Sequence, residues 1–363
     1  MKDNFFLLDV MGTDHSHLIS EYLNRSGLPL DMTPSYYKLH RYDLDSYKRK
    51  FAIIDHRIAN MDLWDNEEYW RELKHRINVL KAKNFVFLLG QPWEFVENLD
   101  SFNATALYHS ALKDTKHLVW DGYVDWNWFY LQHSHSQSKF EFDHSHKTKD
   151  FLYLNKRSRP HREALFRLLK SNDILHNSIY SYVDRPFNIK LDPTYELYDD
   201  TKEIVDIPEF IGDKAKLRYG LDHNLQVASY NHSTASIVSE STVSKKRLFF
   251  SEKIWKPIVA KHIFILHGQT GSLAQLKKMG YKTFNGIIDE SYDHEQDESK
   301  KTEKILSACR QLLKHDPIDV YKETAQIRQH NHELFFNKQK LSEVIKDRLM
   351  LFFKFFDSGK VSS

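Results

Sequence analysis

The densest group of residues able to bind a ligand lies in residues 249–258, whose sequence is FFSEKIWKPI. Ser251 has the residue type of a helix N-cap, which places Glu252 and Lys253 in the first turn of the following helix. Free backbone amides and the helix dipole favour an anion there, whereas the Lys253 ammonium opposes the dipole. Lys253 therefore either points to solvent or binds an anion such as a phosphate. Glu252 either complements the dipole or accepts the two hydroxyls of a ribose.

A second candidate anion site lies in residues 155–162, whose sequence is NKRSRPHR and contains four Lys or Arg residues. The segment joins a predicted strand to a predicted helix, and Pro160 suits the first turn of that helix. A positive turn of this kind is either a solvated basic loop or a phosphate site. Two such turns in one domain favour a shared diphosphate ligand.

Alternating strands and helices are predicted to position these turns, which indicates an α/β protein with parallel sheets covered on both faces. In the first part of the chain a helix is expected at 66–81. The predicted strands of this part are 5–10, 51–55, 84–90 and 104–109. Residues 132–150 are polar and rich in His and Ser, so they are predicted to form a loop or linker.

Beyond that linker the alternation resumes. Strands are predicted at 151–155, 179–183, 235–239 and 262–267. Helices are predicted at 161–170, 251–260, 272–279, 303–314, 320–336 and 341–356. Residues 280–293 are predicted to form a buried strand that leads into an acidic loop, in which Asp289 and Glu290 either contact sugar hydroxyls or face solvent.

Both turns resemble the donor-binding motifs of the α-1,3-fucosyltransferases. Residues 236–242, SIVSEST, contain Glu240 and Ser241 and are similar to that family's Phe-Glu-Asn-Ser/Thr motif. Phe249 and the Ser-Glu-Lys of 251–253 are similar to its Val-Thr-Glu-Lys motif. Arg162 and the residues after it resemble its Arg-Asn-Ala-Phe/Leu segment. The matching residues lie between positions 155 and 268.

The resemblance implies a GT-B glycosyltransferase fold, which consists of two Rossmann-like domains, here followed by C-terminal helices. It implies that Glu252 binds the ribose of a nucleotide sugar and that Lys253 and Arg162 bind its diphosphate. The other residues that it places at the donor are Glu240, Ser241, Phe249 and Ser251. Ser241 stands where the family has Asn, and the two Glu residues are farther apart, so GDP-fucose is one candidate donor among several.

The implied domains are an acceptor-side α/β domain at 1–140, a nucleotide-sugar-binding α/β domain at 151–335 and a C-terminal helix at 336–363. The implied reaction inverts the sugar centre and needs a carboxylate base for the acceptor hydroxyl. In the family this base follows a strand, and the corresponding residue here is Glu94. Asp14 and Asp55 are the alternatives, and each also has the sequence context of a cap or turn residue.

The 21 histidines raise the alternative of a metal-dependent hydrolase. They cluster at His15 and His17, at His133 and His135, and in the Asp-His-Ser-His string of 143–146. Flexible polar loops explain the same clusters, and His15 and His17 could instead contact the acceptor. The tryptophans of residues 120–128 either pack in a core or form a stacking platform for a sugar or base.

Composition limits the partners. The chain has 363 residues, 41% of them hydrophobic, and a formal net charge of +2, so no global field draws it to nucleic acid or to an anionic membrane. A single cysteine, Cys309, favours a reducing compartment, and neither a signal peptide nor a membrane span is evident. We therefore expect a soluble, cytoplasmic protein.

The expected activity is metal-independent sugar transfer from a nucleotide sugar to a glycan, glycolipid or other hydroxyl acceptor. A DNA-base-modifying glycosyltransferase of GT-B fold is an alternative acceptor class, which the near-neutral charge does not favour. A nucleotide-binding or carbohydrate-binding protein without a catalytic base is a further alternative.

Overall fold

The computed structural model divides the chain into two compact units, Met1–Tyr130 with Lys338–Ser363, and Leu131–Asn337. In β1, β2, β4, β5 and most of β3, defined below, it describes the backbone alone. The described residues are 2–9, 24–25, 27, 30–33, 43–55, 71, 75, 84–88, 116–120, 128–129, 131–132, 142–155, 159–182, 225, 227–241, 243, 248 and 250–357.

The first unit contains a five-stranded sheet in which every strand pair is parallel. The strand order is β2-β1-β3-β4-β5, so β2 lies on one side of β1 and the later strands lie on the other. The strands are β1 (Lys2–Asp9), β2 (Leu30–Thr33), β3 (Tyr47–Asp55), β4 (Asn84–Leu88) and β5 (Lys116–Trp120).

The second unit contains a four-stranded parallel sheet with the order β7-β6-β8-β9. Its strands are β6 (Lys149–Asn155), β7 (Ile179–Tyr182), β8 (Ser233–Ser239) and β9 (Ile263–His267). The central strands β8 and β9 are buried along their whole length, which is typical of a parallel sheet with both faces covered. The predicted α/β class is confirmed.

Most helices of the second unit were predicted, but the short helix Val227–His232 was not. Those of the second unit are α1 (Pro160–Ser171), α2 (Val227–His232), α3 (Glu252–Val259), α4 (Ser272–Lys278), α5 (Glu298–Leu312), α6 (Pro317–Glu323) and α7 (Ala325–Phe336). A last helix, α8 (Lys338–Asp357), belongs to the first unit. Among the described residues no helix is long and apolar enough to cross a membrane.

The core of the second unit fixes α3 against the sheet. Trp255 of α3 is fully buried, and its ring centroid lies 5.9 Å from that of Phe250, 5.5 Å from that of Tyr281 and 6.1 Å from that of Phe335. Buried aromatic side chains of this size contribute a large share of packing energy. Helix α3 is therefore anchored in the core of the second unit through Trp255.

One predicted element is wrong. Residues 280–293 contain no strand and form turns followed by a 3-10 helix, Ser291–His294. Side chains make the backbone hydrogen bonds that neighbouring strands would make in a sheet. Asn331 binds both the N–H and the carbonyl of Lys282, and the Glu290 carboxylate accepts the N–H of Phe284.

The single helix predicted at 320–336 is divided into α6 and α7 at Thr324. The Thr324 hydroxyl donates to the carbonyl oxygen of Val320 at 2.7 Å and accepts from Arg328 Nε at 3.1 Å. Such a bond to the preceding turn competes with the helical backbone bond and bends the helix. Strands β2 and β5 were not predicted. The predicted strand at 104–109 lies outside the described residues, as does most of the helix predicted at 66–81, in which only Arg71 and His75 are described, both helical.

Candidate functional site

The second sheet has a topological switch point between β6 and β8, because β7 lies on one side of β6 while β8 and β9 lie on the other. In open α/β sheets, ligands bind outside the carboxyl ends of the strands at such a point. The pairing of β6 with β8 ends at Leu152 and Ser236, although the strands continue to Asn155 and Ser239. The sheet therefore opens toward its carboxyl edge.

Six residues surround this opening, and we call them the switch-point site. They are Asn155, Arg162, Glu240, Ser251, Glu252 and Lys253. All except Asn155 were predicted as donor-site residues from the sequence. They come from the end of β6, the first turn of α1, the end of β8 and the first turn of α3.

Arg162 connects α1 to the end of β8. Its Nε donates to the carbonyl oxygen of Glu240 at 3.1 Å, and its Nη2 donates to the carbonyl oxygen of Ser239 at 3.0 Å and to the hydroxyl of Ser241 at 3.4 Å. Burial lowers the pKa of the guanidinium, and the charge of Glu240 acts in the opposite direction. These bonds make Arg162 a clamp that positions the residues after β8.

The Glu240 carboxylate is fully buried and is held by Ser251 alone among the hydrogen bonds described. It accepts the backbone N–H of Ser251 at 3.1 Å and the hydroxyl of Ser251 at 2.5 Å. Burial raises the pKa of Glu240 to about 6, and the charge of Lys253 and the bonds from Ser251 act against this rise. A carboxylate with a pKa raised in this way is more frequent at functional sites than elsewhere.

Ser251 is the N-cap of α3, as predicted, and its hydroxyl accepts the backbone N–H of Lys253 at 3.3 Å. The Lys253 Nζ donates to the Glu252 carboxylate at 2.5 Å and to the Ser251 hydroxyl at 3.4 Å. Burial alone would raise the pKa of Glu252, but the charges of Lys253 and Lys256 lower it to about 2. The Lys253 side chain is 24% exposed, so part of it is accessible to a ligand.

Two histidines that the sequence did not single out lie next to Glu240. The ring Nε2 of His161 is 2.9 Å from the carbonyl oxygen of Glu240, and the ring meets that of His267 edge to face. Burial lowers the pKa of His161 well below its usual value, so its neutral ring donates from Nε2. His267 Nε2 is bonded to the Glu298 carboxylate. The only sequence signal for either residue is its position at the end of a strand or the start of a helix.

Several predicted residues cannot be placed. The candidate base Glu94 and its alternative Asp14 lie outside the described residues, as does Phe249. Asp55 is the last residue of β3, where the backbone alone is described.

The acidic loop predicted to reach sugar hydroxyls binds its own backbone instead. Glu290 accepts the N–H of Phe284 and the hydroxyl of Thr283 at 2.7 Å each, and the Nζ of Lys277 at 3.2 Å. Asp289 accepts both the N–H and the hydroxyl of Ser291 at 2.9 Å. Asp289 is exposed, in agreement with the solvent-facing alternative, whereas Glu290 is buried and has a structural role.

At the opposite, amino edge of the sheet, residues 142–148 form the predicted loop and pack on the second unit. Lys147 Nζ donates to the carbonyl oxygens of Tyr230 at 2.9 Å and Ser233 at 2.8 Å, and lies 2.8 Å from Nδ1 of His144. Burial and the charge of Arg328 lower the pKa of Lys147 to about 7. This loop is therefore an integral part of the unit.

Arg328 occupies the same amino edge. Its guanidinium donates to the carbonyl oxygens of Lys261 at 2.9 Å and Tyr321 at 2.5 Å. Arg328 and Lys147 both lie over the ring of Tyr321, at 4.0 Å and 4.2 Å from its centroid. Both cations thus bind backbone and an aromatic face.

The histidine clusters were the basis for the metal alternative. In the part of the chain that the structure describes, no group of three or more His, Cys, Asp or Glu side chains could hold a metal ion. Asp143 accepts the N–H and hydroxyl of Ser145, and His144 is bonded to the carbonyl oxygen of Ala260 at 3.0 Å. The clusters at 15–17 and 133–135 lie outside the described residues.

Comparisons with protein-family models, with curated proteins and with solved structures find no significant match to this chain. Function is therefore inferred from the geometry of the switch-point site in the folded second unit and from the resemblance of its sequence motifs.

Proposed function

We propose that the protein is a glycosyltransferase that moves a sugar from a nucleotide-sugar donor, GDP-fucose or a similar one, to an acceptor hydroxyl. The proposed fold is GT-B, with two Rossmann-like domains. One observation carries the proposal: the buried carboxylate of Glu240 holds Ser251 at the opening between β6 and β8. The N-terminus of α3, with Glu252 and Lys253, is thereby fixed where α/β sheets bind nucleotides.

Lys253 supplies the positive charge for the donor diphosphate. Its side chain is partly exposed and belongs to the first turn of α3, where backbone N–H groups also favour an anion. When the bond between sugar and diphosphate breaks, negative charge grows on the leaving phosphate. A fixed cation at that position stabilises the transition state without reorganisation, so the reaction is proposed to need no metal ion.

Glu252 is the proposed ribose ligand. With a pKa of about 2 its carboxylate is ionised at every physiological pH, and an ionised carboxylate only accepts hydrogen bonds. Two vicinal hydroxyls are the matching donors. In the complex, Lys253 would donate to both Glu252 and a phosphate, which is possible because its ammonium has three N–H donors.

Arg162 is proposed to act through the end of β8, since its guanidinium binds the carbonyls of Ser239 and Glu240. The proposed base is Glu94, which takes the proton of the acceptor hydroxyl while the oxygen attacks the sugar carbon from the side opposite the diphosphate. This displacement inverts the sugar centre. The proposed acceptor is a glycan, a glycolipid or another hydroxyl compound.

The first test is a thermal-shift screen of the full chain against GDP, UDP, ADP and CMP, each with and without EDTA. A ligand that binds only the folded state raises the melting temperature by mass action. We expect one diphosphate to raise it equally in both conditions. No shift with any nucleotide, together with destabilisation by EDTA, would contradict the proposal and favour a metal-dependent activity.

The second test is turnover of the nucleotide sugar by Lys253→Ala. Loss of one charge-stabilising donor lowers turnover by about 10²-fold. The matched control is Lys322→Ala, which removes another helical lysine that is paired with an acid, Asp319, at 3.2 Å. The control should keep full turnover. Full turnover in Lys253→Ala would refute the assignment of this residue.

A further inference from the structure

Asn155, the last residue of β6, buries a polar side chain without satisfying it. The residue is 2% exposed, and among the described residues neither its amide nitrogen nor its amide oxygen has a hydrogen-bond partner. Asn331 is buried to the same 2%, but its amide accepts from the N–H of Lys282 and donates to the carbonyl of Lys282, both at 2.8 Å. Most buried amides in native proteins resemble Asn331 in this respect.

The position of Asn155 is at the opening of the sheet. Residues two apart in a strand share a face, so Asn155 lies on the same face of β6 as Tyr153. The Tyr153 hydroxyl is 3.4 Å from the carbonyl oxygen of Arg162 and 3.4 Å from the hydroxyl of Ser239. Burial raises the pKa of Tyr153 to about 12, and the Ser239 hydroxyl, the charge of Arg162 and, to a smaller extent, the Asn155 amide oppose that rise. Asn155 is therefore on the α1 face and closer than Tyr153 to the carboxyl edge.

The same location is the N-terminus of a helix that lacks a side-chain cap. Helix α1 has twelve residues, its N-cap residue is Arg159, and no side chain caps it. A helix N-terminus without a side-chain cap and the unsatisfied amide thus occur together at the switch point. Two independent features point to a ligand in one place.

We propose that Asn155 binds hydroxyl groups of the sugar nucleotide, an inference that rests on the proposed function and deepens it. A phosphate only accepts hydrogen bonds, so a phosphate ligand would leave the Asn155 oxygen buried without a donor. A hydroxyl both donates and accepts and satisfies both halves of the amide. The hydroxyls belong to the ribose or to the transferred sugar, and the experiment separates these sources.

The test compares Asn155→Leu with Asn331→Leu in the full chain. Leucine has the same number and branching of side-chain heavy atoms as asparagine and no polar atom. Since replacing an unpartnered buried amide removes an unmet desolvation cost, we expect Asn155→Leu without ligand to melt at or above the wild-type temperature. Asn331→Leu breaks two bonds and leaves the Lys282 backbone unpaired, so it should melt at least about 4 °C lower.

Affinity is then measured by calorimetry with GDP, UDP, GDP-fucose and UDP-glucose. For the probe that binds the wild type, Asn155→Leu should bind roughly tenfold more weakly, as expected for the loss of one or two hydrogen bonds, while Asn331→Leu keeps its affinity. Weakening with the free diphosphate identifies the ribose. Weakening only with the nucleotide sugar identifies the transferred sugar.

Three results would overturn this inference. Asn155→Leu with an affinity within about twofold of the wild type would mean that the amide does not touch the ligand. Asn155→Leu melting as low as Asn331→Leu would show that the amide has a structural partner. If the wild type binds none of the probes, the proposed function fails and the inference fails with it. Should Asn155→Leu not fold, Asn155→Ala decides by the same affinity criterion.

Discussion

The two edges of the second sheet both bury charged side chains, but they pair them differently. At the amino edge, Lys147 and Arg328 donate to backbone carbonyls and cover the ring of Tyr321. At the carboxyl edge, Arg162 also binds carbonyls, but the carboxylate of Glu240 lies beside it. The amino edge thus buries cations for structure, whereas the carboxyl edge mixes both signs of charge.

This difference separates a structural cluster from a functional one in this unit. Arg328 donates to backbone carbonyl oxygens, and these bonds account for its burial without a ligand. The carboxyl edge contains the 24% exposed Lys253 and the unsatisfied amide of Asn155. Unused binding capacity at an opening of the sheet indicates function more directly than burial or charge alone.

The largest expected effect concerns pH at the amino edge. The pKa of Lys147 is about 7 in the folded protein and that of a free lysine is 10.5, so between these values the unfolded chain binds the extra proton. The stability of the wild type relative to Lys147→Met should therefore rise between pH 7 and pH 10, by about 4 kcal/mol at most. Urea unfolding of both proteins across this range measures it. A constant difference would mean that the carbonyl acceptors keep Lys147 charged.

Substitutions of Arg162 and Arg328 should distinguish a residue that supports binding from one that supports stability alone. Arg328→Met should lower the free energy of unfolding by about 3 kcal/mol, because buried carbonyl oxygens lose a charged donor. Arg162→Met should have a similar effect on stability and should also weaken nucleotide binding, since the end of β8 loses its position. Urea unfolding and calorimetry are the measurements. Equal nucleotide affinity in both variants would remove the distinction between the two edges.

The contribution of Glu240 to stability should have the opposite pH dependence at the carboxyl edge. Its pKa is about 6 when folded and 4.5 in the unfolded reference, so the folded state binds the proton more tightly. The wild type should lose about 2 kcal/mol relative to Glu240→Gln as the pH rises from 4 through 6. Glutamine keeps the shape and does not titrate. A pH-independent difference would show that the carboxylate is better solvated than its burial indicates.

The smallest expected effect is on the ligand-free stability of Lys253→Met. The pair with Glu252 is partly exposed on the lysine side, the lysine charge opposes the helix dipole, and Lys256 still offsets the buried Glu252 carboxylate, so the change should be only about 1 kcal/mol. A small change in stability, together with a large loss of turnover in Lys253→Ala, would show that Lys253 serves catalysis rather than folding. Unfolding in urea tests it, and a loss above about 2 kcal/mol would class Lys253 with the structural cations.

The sequence predicted the local parts of this architecture well. Periodicity placed α1 and α3 to within one or two residues, and the N-cap role of Ser251 is confirmed. These features depend on neighbouring residues, and the local sequence contains them. The proximity of Glu240 to Ser251 came from a motif resemblance, and the structure shows the contact.

The remaining features depend on contacts between residues far apart in sequence. Residues 280–293 were predicted to form a buried strand leading into a loop, but Asn331 supplies the bonds that a strand partner would have made. The short β2 and the β5 sequence KHLVW, which begins with two basic residues, give weak strand signals. No pattern in the sequence distinguishes the satisfied amide of Asn331 from the unsatisfied one of Asn155.

The division of the chain has a consequence for its synthesis. The second unit is continuous in sequence, whereas the first is completed by α8, which follows it. Because domains tend to fold as they leave the ribosome, the unit that begins first is finished last. A chain that stops at Asn337 should therefore contain a protease-resistant second unit and a protease-sensitive first one. During translation, the first 130 residues must wait for the last helix before their fold is complete.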